Sequence, residues 1–307
     1  MTKPPFRTLG IIGAGLIGSS IARAVRTNLP ELRLIAWDCD KSVRERVREL
    51  GLADRVAESA GEAAREADLI ILCVPVGAMA AASESIAPHL RADAIVSDVG
   101  SSKAAVASAI RKALPAATII PAHPVAGTEN SGPDSGIAEL FRGRWCILTP
   151  GPEISRADTD RLSSFWTALG AKVEVMDARH HDVVLAVTSH LPHLIAFTIV
   201  GTASDLERVT QSEVIKYSAG GFRDFTRIAA SSPTMWRDIF LSNKDAVLEM
   251  LQRFTEDLSL LQRAIRDDDG ETLFELFTRT RAIRRGIVEQ GQDVEKADFG
   301  RLSAPSA

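Results

Sequence analysis

The sequence predicts an α/β fold: a doubly wound parallel-sheet domain over residues 1–177, followed by an all-α domain over residues 178–307. Three observations carry this. From residue 8 to about 177, short β-branched apolar runs alternate with stretches of helical character, the pattern of a strand–helix–strand chain. Most of those runs lack two-residue alternation, as strands buried on both faces of a parallel sheet do. After Asp177 the strand-like runs stop and only helical periodicity remains.

The first strand is TLGIIG (8–13), and the helix behind it opens at Leu16 and runs to about Val25. LRLIAWD (32–38), LIILCVP (69–75), AIVSDV (94–99), TIIPAHP (118–124), WCILTP (145–150) and KVEVMD (172–177) follow as further strands. Over 247–265, Val247, Leu251, Phe254, Leu258, Leu261 and Ile265 recur in alternating steps of four and three, which predicts a long helix with one apolar seam. DDDG (267–270) stops it, and a second helix over 271–290 carries Phe274, Phe277, Ile283 and Ile287. The polar tail from about residue 291 is expected to be loosely ordered. The seam and its neighbour hold more apolar surface than one small helical layer hides, so a homodimer through the helical part is expected.

The 307 residues are 45% hydrophobic and 25% charged, which suits a globular enzyme of about two domains. A net charge of −4 leaves no basic footprint for nucleic acid. Cys39, Cys73 and Cys146 are far apart and form no C-x-x-C pair; they fit a reducing cytoplasm, as buried apolar residues. Lys3 and Arg7 before LGIIGAGLIGSSIARA imitate a signal peptide, but glycines within that run would break its apolar core. No other segment reaches the ~18 uninterrupted apolar residues of a membrane span. The expected location is cytoplasmic, with no membrane partner.

GAGLIG (13–18) has the form G-x-G-x-x-G, follows a strand and opens a helix. Gly13 permits the tight turn, Gly15 lets the backbone approach a pyrophosphate, and Gly18 lets helix pack on strand. The phosphates would sit on the free N–H groups of Leu16 and Ile17 at the helix N-terminus. The second strand ends on Asp38, whose carboxylate would accept from both ribose hydroxyls and repel a 2′-phosphate. The domain therefore reads as Rossmann-like and its cofactor as NAD rather than NADP. Asp40 is a weaker substitute, beyond the strand end.

Ligands of such sheets bind beyond the carboxyl ends of the strands. Three of those ends are unusually polar: VPVG (74–77), SDVGSSK (97–103) and PAHPVAGTENSG (121–132). Val74 and Pro75 of the first are expected to line the cofactor. Two more clusters lie in the helical part, SHLPH (189–193) and SAGGFRDFTRIAASSPTMW (218–236). His190 and His193 share a helix face, and no carboxylate or cysteine at ligand spacing suggests a metal.

Taken together, GAGLIGSS, the D-x-x-S-x-K of 98–103, HPVAGTENSG, SHLPH and GGFRDFTRIA…MW resemble the prephenate dehydrogenase family, which includes arogenate and cyclohexadienyl dehydrogenases. The resemblance runs from about residue 8 to 290. Neither a chorismate mutase segment ahead of it nor a regulatory domain behind it is expected. The family reaction is oxidative decarboxylation of a cyclohexadienol: the C4 hydroxyl loses its proton, hydride passes from C4 to NAD⁺, and CO₂ leaves C1 as the ring aromatises.

By that resemblance His123 is the catalytic base, held in a strand-end loop with a pKa near the ordinary value of about 6.5. Ser101 would hydrogen-bond the same hydroxyl, with Ser102 its rival. The resemblance places Glu129, His193, Trp236 and Gly220 in the substrate pocket, with Arg227 gripping a substrate carboxylate and Asp224 its partner at the entrance. Arg223 is the weaker candidate for that charge, and Lys103 either orients the serine loop or is solvated. The favoured substrate is prephenate, with arogenate the alternative. A β-hydroxyacid dehydrogenase or imine reductase would have no use for GGFRDFTR, and a nucleotide-sensing module none for HPVAGTENSG.

Overall fold

The computed structural model describes residues 4–128, 130–210 and 220–287. By internal packing the chain divides into two compact units, Met1–Leu248 and Glu249–Ala307. The first is built on β1 (Thr8–Ile12), α1 (Leu16–Asn28), β2 (Arg33–Trp37), α2 (Lys41–Glu49), β3 (Arg55–Val56), α3 (Ala60–Arg65), β4 (Leu69–Leu72), α4 (Met79–Ile86), β5 (Ile95–Asp98), α5 (Ala104–Ala113) and β6 (Thr118–Ile119). These six strands form one all-parallel sheet in the order β3-β2-β1-β4-β5-β6. Strand order reverses between β1 and β4, where a doubly wound sheet opens its ligand crevice.

The missing alternation has a direct cause. Ile11 and Ile71 pack in one core layer with Phe6, Leu9 and Trp166, while their neighbours Ile12, Ile70 and Leu72 pack in the other with Ala63 and Met79. Both faces of the strand are covered, so every position must be apolar.

TIIPAHP differs from the expectation of one strand. It divides at Ile120–Pro121 into β6 and a separate β7 (Ala122–Pro124). Proline has no N–H to give a central ladder, and here the Pro121 carbonyl instead accepts from the Thr149 N–H at 2.9 Å. With β8 (Trp145–Leu148), α6 (Arg156–Ala168) and β9 (Lys172–Val175), β7 opens a second, three-stranded sheet. In it β7 is antiparallel to β8 and β8 parallel to β9. The strands at 145 and 172 thus belong to this mixed sheet and not to the large parallel one.

Beyond Asp177 every element among the described residues is helical: α7 (Ala178–Leu185), one wide π-turn (Ala186–His190), α8 (Leu191–Thr210), α9 (Gly220–Thr226), a tight turn (Arg227–Ala230), α10 (Pro233–Ser242), α11 (Lys244–Arg266) and α12 (Gly270–Ile287). DDDG ends α11 as expected, with Asp268 at φ 56°. Val247 of the seam is buried, whereas Leu258 and Ile265 are exposed, as are Phe274, Phe277 and Ile283 of α12. The helix Ala178–Asp205 is apolar and long enough, by length and composition, to cross a bilayer, though only 28% of its most apolar window is buried. The tail from about residue 291 lies outside the described residues. Cys39 departs from the expectation of buried thiols: it is exposed, because it sits on the loop between β2 and α2, while Cys146 is buried.

Candidate active site

At the end of β1 the chain turns at Gly13 with φ +98°, and a Cβ there would lie 2.5 Å from the Cys73 carbonyl oxygen. A Cβ at Gly18 would meet the Gly13 carbonyl oxygen at 2.1 Å, so α1 can lie this close to β1 only with glycine. Nothing lies within 4 Å of a Cβ at Gly15, and no side chain caps the first turn of α1 at Leu16 and Ile17. Open space over uncapped N–H groups is what a pyrophosphate needs.

Asp38 lies over the same turn. Its Oδ2 accepts from the Ala14 N–H at 2.8 Å and its Oδ1 from the Asp40 N–H at 2.9 Å, which leaves each oxygen a lone pair for a ribose hydroxyl. Asp40 has another duty, capping α2 by accepting from the Ser42 N–H. Val74 lines the turn, its Cγ1 3.1 Å from a Cβ at Gly13, and Pro75 follows it at the surface.

His123 lies within β7, opposite Ile147, and is 7% exposed. The expectation of a strand-end loop is corrected here: β8 supplies an antiparallel partner that the motif alone does not show. Its Nδ1 is 2.8 Å from His181 Nε2, and His181 Nδ1 is 2.9 Å from Asp182 Oδ1. The direction of this chain follows from its far end. A carboxylate only accepts, so His181 carries its proton on Nδ1 and accepts at Nε2. His123 must then donate from Nδ1, which leaves Nε2 bare. Burial, then the fields of His181, Lys103 and His190, hold the His123 pKa well below the ordinary imidazole value. That corrects the expected value near 6.5.

Asp182 also accepts from the Lys103 N–H at 2.7 Å and the Ala104 N–H at 2.9 Å, so α7 caps α5 across the fold. Ser101 is therefore not the cap of α5. Lys103 is fully buried: its ammonium pairs with Asp98 at the end of β5 and donates to the Ala122 carbonyl at 2.7 Å. This ties the serine loop to the residue before His123 and settles the choice left open for Lys103. Ser102 is buried with its hydroxyl 2.7 Å from that of Ser242, while Ser101 remains half-buried.

His193 and His190 converge on Trp236 from one side. The His193 ring stacks on the indole with centroids 3.6 Å apart, and His190 meets it edge-on at 6.1 Å. Burial lowers the His193 pKa, and the charge of Arg227 adds to this. Asp224 is 3.5 Å from Arg223, and both belong to α9, which Gly220 opens. Glu129 lies outside the described residues.

Sequence reasoning missed His181, Asp182 and Asn243. The only local signal was HHD at 180–182, one turn into the first helix after the last strand. Nothing in that spacing reveals that β7 delivers His123 to it. Asn243 donates to the Asp182 carbonyl at 2.8 Å and lies 3.1 Å from His190 Nδ1. Among the described residues, no group of three or more His, Cys, Asp or Glu side chains could hold a metal.

The family model for the prephenate dehydrogenase nucleotide-binding domain matches residues 21–175, and that for the prephenate dehydrogenase dimerization domain matches residues 177–279. The first match begins after GAGLIG, so the glycine cradle rests on its own geometry. The chain is 44% identical to the cyclohexadienyl dehydrogenase of Zymomonas mobilis over 92% of its length and 96% of that protein's. It is 33% identical to the prephenate dehydrogenase of Bacillus subtilis, over 91% of its length and 76% of that protein's. Among solved structures, prephenate dehydrogenase from A. aeolicus in complex with hydroxyphenyl propionate and NAD⁺ superposes with a TM-score of 0.86 at 31% identity, covering 92% of this chain and 98% of that one. With a family model matched to each half of the chain and relatives at 44% and 33% identity, one assignment remains: the chain belongs to the prephenate dehydrogenase family.

Proposed function

We propose that the protein catalyses the NAD-dependent oxidative decarboxylation of prephenate to 4-hydroxyphenylpyruvate. The observation that carries this is the chain His123–His181–Asp182, which presents a bare, neutral Nε2. Bound NAD⁺ supplies the hydride acceptor, on the cradle of Gly13, Gly15 and Gly18 with Asp38 on its ribose. His123 Nε2 takes the proton of the C4 hydroxyl as hydride leaves C4, and Ser101 orients that hydroxyl. When the C1–CO₂ bond breaks, its electron pair aromatises the ring and His123 returns the proton to the C4 oxygen. The closed proton cycle suits a base whose burial disfavours lasting charge.

The substrate pocket is assigned to His193, Trp236, Glu129, Gly220 and Arg227, with Asp224 at its entrance, and residues 178–307 to the substrate-binding and dimerisation half. Arogenate is the second reading, supported by a TM-score of 0.77 at 28% identity to Synechocystis arogenate dehydrogenase, over 91% of this chain and 99% of that one. We infer a homodimer through the helices. Val183, Val187, Ile199 and Val200 leave an apolar face exposed on the long helix Ala178–Asp205, whose His181, Asp182 and His190 are buried.

Purified protein assayed with prephenate and arogenate, each with NAD⁺ and NADP⁺, tests the reading. Prephenate with NAD⁺ should turn over fastest, and His123→Asn should lower kcat about 10²–10⁴-fold with NAD⁺ affinity nearly intact. The acid limb of wild-type kcat/KM should fall below pH ~6.5. An active Asn variant, or a preference for NADP⁺, overturns the corresponding assignment.

A further inference from the structure

We propose that His190 is a positioning residue, fixed by Asn243, whose Nε2–H holds the main chain of the Ser101 loop. It rests on the reading of Ser101 as the group that orients the substrate hydroxyl. His190 is fully buried at the end of the wide turn Ala186–His190. In an ideal helix, at about 100° per residue, His181 and His190 would face opposite sides. Wide turns of this kind interrupt helices most often at functional sites, and here both histidines are buried.

Asn243 sets which nitrogen of His190 carries the proton. Its amide nitrogen donates to the Asp182 carbonyl and faces His190 Nδ1 at 3.1 Å. An amide N–H₂ can only donate, so Nδ1 must be the bare acceptor. Burial pushes the His190 pKa down to about 4, so the ring is neutral and its single hydrogen sits on Nε2. That Nε2 is buried and makes no hydrogen bond among the described residues. The serine loop lies alongside, the Ser102 hydroxyl being 2.7 Å from that of Ser242, next to Asn243, and the Ser101 backbone favours the protonated form of the ring. The edge-on Trp236 ring at 6.1 Å closes the other side.

A buried donor without an acceptor costs roughly 1–3 kcal/mol, and such a cost calls for an explanation in function or structure. Catalytic hydrogen bonds commonly tighten only in the reacting complex. The Ser101 main chain is the acceptor on which this N–H would close, drawing the serine hydroxyl into place. A role confined to packing would value the Nδ1 side of the ring instead, where Asn243 binds.

The two amide replacements separate these roles. Glutamine can place its N–H₂ near the position of Nε2, whereas asparagine can place only its oxygen near that of Nδ1. His190→Gln should keep kcat within about threefold of wild type. His190→Asn should lower kcat about 10- to 100-fold, the scale of a small misplacement at a reacting centre. KM should change less than kcat, and melting temperature and NAD⁺ affinity, measured alongside, should show both variants folded. Equal kcat in the two variants, or the reverse order, overturns the proposal. A wild type that turns over neither prephenate nor arogenate removes the Ser101 reading and this proposal with it.

Discussion

Asp182 shows how much one carboxylate decides. It accepts from His181, and through that ring it sets which nitrogen of His123 is bare; it also caps α5 through the Lys103 and Ala104 N–H groups. Asp182→Asn keeps the shape but puts a donor where only an acceptor serves. If the amide N–H₂ faces His181, the whole chain reverses and the proton moves to His123 Nε2. We expect kcat to fall about 10²–10⁴-fold, as it does when a base is held in the wrong tautomer. The capping loss should add roughly 1–3 kcal/mol of destabilisation. Steady-state kinetics and thermal melts on one preparation measure both, and a variant with wild-type kcat would disprove the relay.

At the scale of elements, the proposed substrate side belongs to the tight turn Arg227–Ala230 and α10. Asp224 lies beside Arg223 within α9, while the Arg227 charge reaches His193 one turn later. A guanidinium grips a carboxylate with two parallel bonds and an ammonium cannot. Arg227→Lys should raise KM, and Arg227→Ala should raise it about 30-fold or more, the low end of the 2–5 kcal/mol for such a pair. If Arg223→Ala has the larger effect, the clamp is Arg223.

Legibility varied by element for physical reasons. The parallel strands announced themselves through doubly buried apolar runs, and Gly13, Gly15 and Gly18 through a turn that only glycine permits. His123 and Ser101 stand in compact motifs, and their proposed roles rest on the resemblance those motifs carry. The break at Pro121, the antiparallel partner of β7 and the His123–His181 contact depend on pairings between distant segments. Local patterns such as HHD do not encode these. Lys103 looked like a surface lysine for the same reason: its partners Asp98 and Ala122 come from two different strands.

For the whole molecule, burial of neutral histidines sets the acid limit. His123, His181, His190 and His193 all have pKa values lowered by burial. Above pH ~6.5 they are neutral in both folded and unfolded chains and do not affect stability. As pH falls below that, the unfolded chain takes up protons and the native one does not, so stability is lost, for His190 down to about pH 4. Asp54, Asp177 and the other carboxylates with lowered pKa lose their contribution only near and below their ordinary value of 3.8. The melting temperature should therefore drop between pH 6.5 and 5. A flat profile there would mean these rings are not buried neutral. Light scattering at micromolar concentration should report a dimer, and charges at Ile199 and Val200 should shift it toward monomer; a wild-type monomer would refute the assembly.

The order in which the site is written along the chain has its own consequence during synthesis. Gly13, Gly15, Gly18, Asp38 and Val74, the residues assigned to the nucleotide, leave the ribosome first. His123 emerges before its strand partner β8, and its orienting groups His181 and Asp182 come later still. Asn243, which ties Asp182 to His190, comes last of all. A nascent chain thus carries the residues assigned to the nucleotide long before it carries those proposed to aim the base. The unit Met1–Leu248, which holds all of these residues, is complete only once Asn243 has been added.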